Sequence, residues 1–112
     1  MPQQKLISDD FLADIPPNIQ YVKTEDVVSW RYCEDGFVVV ELVKRPDSFY
    51  SIRYLAWVAW RDAGDIVRSR SWHIVDPGHA AIADDLEKVR EIADETTNSL
   101  GLKYSGDWLK AT

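Results

Sequence analysis

The stretch Phe49–Arg61, FYSIRYLAWVAWR, is the longest strand-like run in the chain and its densest in aromatic residues. At the two-residue period of a β-strand, Tyr50, Ile52, Tyr54, Ala56, Val58 and Trp60 fall on one face, and Phe49, Ser51, Arg53, Leu55, Trp57, Ala59 and Arg61 on the other. The first face is apolar throughout and reads as core. The second mixes arginines with Leu55 and Trp57, a composition that calls for its own cover or a partner.

Turn signals bracket this run and divide the chain before and after it. Val27 to Cys33 reads as a first strand, and Glu34, Asp35 and Gly36 as a reversal in which glycine accepts a left-handed backbone without strain. A second strand runs from about Phe37 to Lys44, and Arg45, Pro46, Asp47 and Ser48 supply the next turn. Asp62 to Asp65 reverses the chain again into a fourth strand, Ile66 to Val75. Three-residue reversals at 34–36 and 46–48 place Val28, Trp30, Tyr32, Val38, Val40 and Leu42 on the core face with Ile52, Tyr54 and Ala56. They also set Glu41 opposite Arg53 on the second face. In the last hairpin, a two- or four-residue loop sets Trp57 against Arg70 and Leu55 against Trp72. A three-residue loop would instead turn Arg68 and Arg70 into the core at high cost. The first option leaves Val67, Ser69, Ser71 and Val75 facing the core.

Asp76 and Pro77 form a helix-start signal, and Ile82, Leu86, Val89, Ile92 or Ala93, Thr96 and Leu100 recur at helical spacing up to the Gly101 cap. The expected fold is therefore α+β, a four-stranded antiparallel meander with one long C-terminal amphipathic helix packed on one face. The expected organisation is a single domain over 1–112, with a weakly structured N-terminal segment over 1–26, the meander over 27–75, the helix over 76–100 and a tail over 101–112 that Trp108 pins to the body. Before the first strand, Ser8, Asp9 and Asp10 read as the cap of a short helical turn that Pro16 and Pro17 stop, and Thr24 to Asp26 as a turn.

A chain of 112 residues fits one core. A net charge of −6 opposes approach to duplex nucleic acid or anionic membranes and favours basic partners. The single cysteine, Cys33, makes no internal disulfide, and the N-terminus carries no signal-peptide pattern, so a cytoplasmic location is expected. The apolar segment Tyr54–Trp60 falls far short of the ~20 residues of a membrane-spanning helix. Five tryptophans are more aromatic surface than this length usually carries, and such surface serves recognition as well as packing.

Arg53, Trp57, Arg68, Arg70 and Trp72 are the candidate partner-binding residues, gathered with Arg31, Glu41, Val39 and Leu55 on the second sheet face. Arginine and tryptophan together form protein interface hot spots and also stack unpaired bases. The plain alternative is an aromatic face covered by the chain's own N-terminal segment, with arginine stems over the rings. The helix carries Asp84, Asp85, Glu87, Glu91, Asp94 and Glu95, a surface that attracts a basic partner or is simply solvated.

Catalytic, cofactor and metal motifs are lacking, so none of the three is expected. His73 and His79 have no third ligand at useful spacing, Cys33 lacks an electropositive setting, and the glycines are isolated. The expected function is a non-enzymatic protein-binding module, an inhibitor, immunity-type antagonist or adaptor. Its partner is a protein, basic in character, or a second copy docked through the second sheet face. One alternative is single-stranded nucleic-acid binding. The strand order resembles, at the level of fold alone, small dimeric single-strand-binding modules of four strands and a helix, although the acidic balance argues against that use. The other alternative is a small ligand-binding domain or enzyme with a sheet–helix pocket where Tyr54, Trp60 and His73 meet.

Overall fold

The computed structural model describes residues 12–15, 17, 21–75 and 82–110. The meander is present as β1 (Val27–Cys33), β2 (Val38–Lys44), β3 (Tyr50–Arg61) and β4 (Val67–Val75), each antiparallel to the next. Two short strands extend it, β5 (Ile82–Ala83) and β6 (Leu109–Lys110), so among the described residues the sheet has six strands rather than four. The order across it is β4-β3-β2-β1-β6, and β5 lies on β3 in line with β4, pairing Tyr50 and Ser51 where β4 pairs Tyr54 to Arg61. One helix, α1 (Leu86–Ser99), packs on one face, and the protein is α+β.

Between β2 and β3 the register is the one the alternation predicts: Val38, Val40 and Leu42 face Ala56, Tyr54 and Ile52, and Glu41 faces Arg53. Between β1 and β2 it differs by one residue. Glu34–Gly36 forms a 3-10 turn with positive φ at Glu34, Asp35 and Gly36, and Phe37 closes it by donating its N–H to the Glu34 carbonyl at 3.1 Å. Phe37 therefore belongs to the turn, Cys33 pairs with Val38, and Ser29 to Cys33 of β1 exchange faces relative to the expectation. Trp30 and Tyr32 lie on the second face, while Arg31 turns to the helix side, where its guanidinium sits 3.3 Å from the Tyr104 ring centroid and 3.6 Å from Asp94. A bulge between Val27 and Ser29 lets Val28 still pack against the core.

In the last hairpin Trp57 pairs with Trp72, Leu55 with Ile74 and Ala59 with Arg70. The face of each residue is as expected for Ser69, Ser71 and Val75, but the pairing is offset along the strand. A bulge at Trp60/Arg61 absorbs the parity, pairs Arg61 with Val67 and moves Val67 onto the second face beside Phe37, Trp57, Ala59 and Trp72.

The helix is shorter than the spacing predicts. Ile82 and Ala83 are extended in β5, and Asp85 is the cap, its carboxylate accepting the Glu87 N–H at 2.8 Å. The Asp76–Pro77 signal, His79 and most of the expected Ser8 turn lie outside the described residues. At the other end Gly101 takes φ +73, and the Leu102 N–H reaches the Thr97 carbonyl at 3.2 Å, the glycine cap the sequence calls for. Val89, Ala93 and Thr97 line the buried stripe of α1 and pack on Cys33, Val38, Val40, Leu42, Tyr54, Ala56 and Val58. Each fully buried valine or leucine there contributes about 1.5–3 kcal/mol. The Tyr54 hydroxyl donates to Thr97 Oγ1 at 3.0 Å, and Thr97 donates to the Ala93 carbonyl at 2.7 Å, so both buried hydroxyls are satisfied.

The tail closes the β1 edge. Trp108 Nε1 donates to Asp94 at 3.2 Å and the Tyr104 hydroxyl to the same carboxylate at 2.5 Å, while β6 pairs with Ser29 and Trp30. Trp108 does pin the tail, and the pairing that follows it is an edge strand too short to leave a periodic signal.

Candidate functional site

Trp30, Tyr32, Trp57 and Trp72 form one aromatic field on the second face, with Trp57 and Trp72 at 5.4 Å between centroids. Tyr21 lies across it, its ring 6.0 Å from Trp30 and 6.1 Å from both Tyr32 and Trp72. At the centre is Glu41, 1% exposed in the middle of β2. Its carboxylate accepts from the Tyr21 hydroxyl and from Arg53 Nε at 2.6 Å. Burial, with the bond to Glu41, raises the Tyr21 phenol well above its ordinary pKa.

The N-terminal segment reaches this face through charged ties as well. Ala13 donates its N–H to the Trp57 carbonyl at 3.0 Å, and Leu12 bridges to Val58, which places the segment beside β3 beyond the start of β2. Asp14 pairs with Arg70 at 2.9 Å, and Asp26 with Arg53 at 3.6 Å. The Arg70 hydrogen bond holds the Asp14 carboxyl below its usual range; Thr24 first, and Arg53 after it, do the same for Asp26.

Of the residues singled out from sequence, Arg53, Trp57, Arg70 and Trp72 share this face, and each is engaged within the chain. Trp57 is 5% exposed, so its ring is not a contact surface in this conformation. Arg68 sits at the bulge and is tied to Asp62 of the preceding loop at 2.6 Å. The indole N–H groups of Trp30, Trp57 and Trp72 are buried without an acceptor among the described residues, a cost of closing so aromatic a face.

A different surface is open. Phe49, Ile82, Ala83, Asp84, Lys88, Glu91 and Ile92 line a groove of about 520 Å³ between β5 and α1. Its floor is apolar, with Phe49 44% and Ile82 47% exposed. The rim is charged: Lys88 lies 3.5 Å from Asp84, and the exposed Glu87, Glu91 and Glu95 follow one another at i, i+4 and i+8 along α1. Phe49, assigned by alternation to the second face, precedes β3 and turns into this groove instead. The sequence reading placed Ile82 on a helix and missed the site; the signal for it was Asp84–Asp85 directly before Leu86, a cap that ends the preceding extended pair.

The residues proposed for a sheet–helix pocket are separated. Tyr54 is fully buried against Thr97, with its phenol pushed up to about 12 by burial, whereas Trp60 and His73 are exposed and stack edge-to-face at 5.5 Å. Cys33 is buried, and burial pushes its thiol up to about 12, far from the thiolate that reactive cysteines need. Among the described residues no three His, Cys, Asp or Glu side chains are grouped to hold a metal ion, and no helix is long and apolar enough to cross a membrane. Comparison of the chain with protein-family models, with curated proteins and with solved structures finds no match.

Two outcomes follow from the ties across the second face. Arg53→Ala leaves Glu41 buried without its cation, and the loss measured by urea unfolding is expected at about 3–5 kcal/mol, with much of it recovered in Arg53→Ala/Glu41→Leu. Because the folded pKa values of Asp14 and Asp26 lie below the ordinary 3.8, the stability they contribute is present above that value and is lost as pH falls through the depressed values. Tryptophan emission is therefore expected to hold steady on acidification to about pH 4 and to shift red below it; a shift complete above about pH 5 would contradict these ties.

Proposed function

We infer that this chain is a non-enzymatic protein-binding module, of the antagonist or adaptor kind, that engages its partner through the groove between β5 and α1. The observation that carries this reading is the open apolar floor of Phe49, Ile82 and Ile92 beside a carboxylate ridge of Glu87, Glu91 and Glu95. An apolar side chain of the partner fills the groove, where burial supplies affinity, and lysines or arginines flanking it meet the ridge, where charge supplies orientation and on-rate. The net charge of −6 strengthens approach by such a basic partner.

The second face is less suited to the same role, because its arginines are already paired and Trp57 is buried. Stacking of unpaired bases there would require Tyr21 to leave Trp30, Tyr32 and Trp72 and to give up its bond to Glu41.

A photo-crosslinking amino acid at Ile82, compared with one at exposed Val22, tests the reading in native extract. The expected result is a discrete crosslinked protein from position 82 alone, lost on Glu87→Lys/Glu91→Lys/Glu95→Lys and weakened by salt. Equal adducts from both positions, or an adduct indifferent to the charge reversal, would remove the groove as the binding site.

A further inference from the structure

The outer edge of β4 is a second recognition element, and its main-chain geometry follows from the ladder. Trp57 donates its N–H to Phe37 at 2.7 Å and accepts from Ala13 at 3.0 Å, both on the side of β3 away from β4. Trp57 pairs with Trp72, so that pair exchanges no main-chain bonds, and the N–H and C=O of Trp72 point outward. By the same alternation Arg70 and Ile74 present theirs outward too. Among the described residues nothing pairs with this edge, since β5 lies in line with β4 rather than beside it. The bulge and Arg68 guard the start of this edge, but from Ser69 to Val75 it has no proline and no further bulge, and Ile74 stands 60% exposed on it.

We propose that the occupant of this edge is the β4 strand of a second copy of this chain, joined antiparallel about a two-fold axis at Trp72 to make one continuous sheet. The regular part of the strand, Ser69–Val75 beyond the bulge, is centred on Trp72, so the axis leaves no residue unmatched. In this register Trp72 meets the second copy's Trp72, and Arg70 lies opposite the second copy's Ile74. Both are pairs with outward main-chain groups, each exchanging two hydrogen bonds, and the arginine stem covers the exposed isoleucine. Charge favours this occupant over an acidic foreign strand. Arg70 and Arg68 are already neutralised by Asp14 at 2.9 Å and Asp62 at 2.6 Å, which removes repulsion between copies and leaves an acidic strand little to gain. The pairing uses neither the groove nor the acidic ridge, so it stands or falls separately from the binding role assigned to them.

Sedimentation equilibrium of the full chain, with Ile74→Pro and Ile74→Lys, tests the pairing. Proline at 74 deletes an outward N–H without touching the β3–β4 ladder, and lysine replaces the isoleucine covered by the second copy's Arg70 stem with a side chain whose ammonium resists burial there. The expected result is a wild-type mass of twice 12.9 kDa, with both variants folded by circular dichroism and dissociating at roughly tenfold or more higher concentration. Should Ile74→Pro fail to fold, the exposed Ile74→Lys decides alone. A wild-type monomer at about 1 mM, or a dimer unchanged by Ile74→Lys, would overturn the proposal.

Discussion

Burying Glu41 is the constraint on which most of this structure depends. A carboxylate at 1% exposure within the run VVVELV costs several kcal/mol unless a cation and hydrogen-bond donors meet it. Arg53 meets it from the neighbouring strand, and that fixes the register of β2 on β3. A slip of one residue would remove the cation and turn Val38, Val40 and Leu42 to the wrong face. Tyr21 meets it from the N-terminal segment and carries its ring onto Trp30, Tyr32 and Trp72. One buried charge thus couples strand register, the path of the N-terminal segment and the closure of an aromatic face.

The two faces of the sheet are held by different physics. Under α1 the core contacts are apolar, with the Tyr54 and Thr97 hydroxyls bonded to each other and Asp94 gathering Arg31, Tyr104 and Trp108 at the rim. On the second face ionic and aromatic contacts dominate, and their arginines are consumed by Asp14, Asp26 and Glu41. Since both faces are engaged internally, what remains for recognition lies at the periphery. There the ends of β5 and α1 leave a groove, and β4 leaves main-chain groups pointing outward. Arg and Trp residues in a strand therefore report a face that needs covering, and here the chain itself does much of that covering.

How far this could be read from sequence depended on whether a feature was local and periodic. The β2–β3 register was legible because strict alternation and the Glu41–Arg53 pair both selected it. The β1 register was not, because Phe37 looks like a strand residue and only the positive φ values of Glu34, Asp35 and Gly36 make it part of the turn. Helix spacing ran on through Ile82, but Ile82 pairs with Ser51, a partner more than thirty residues earlier that periodicity does not see. The short strands β5 and β6 carry no period at all. The groove was illegible for the same reason, being built from Phe49, Ile82 and Ile92 in three separate segments of the chain.

The most direct test of the central claim, that the second face is closed by the chain's own N-terminal segment around Glu41, is acrylamide quenching of variants that each keep one tryptophan. Trp57 is 5% exposed and Trp60 43%. The account predicts that Trp57, with Trp30 and Trp72 beside it, is shielded in the wild-type context while Trp60 is quenched freely, and that Tyr21→Ala opens Trp30 and Trp72 but leaves Trp60 unchanged. Equal quenching of all four, with or without Tyr21, would contradict it.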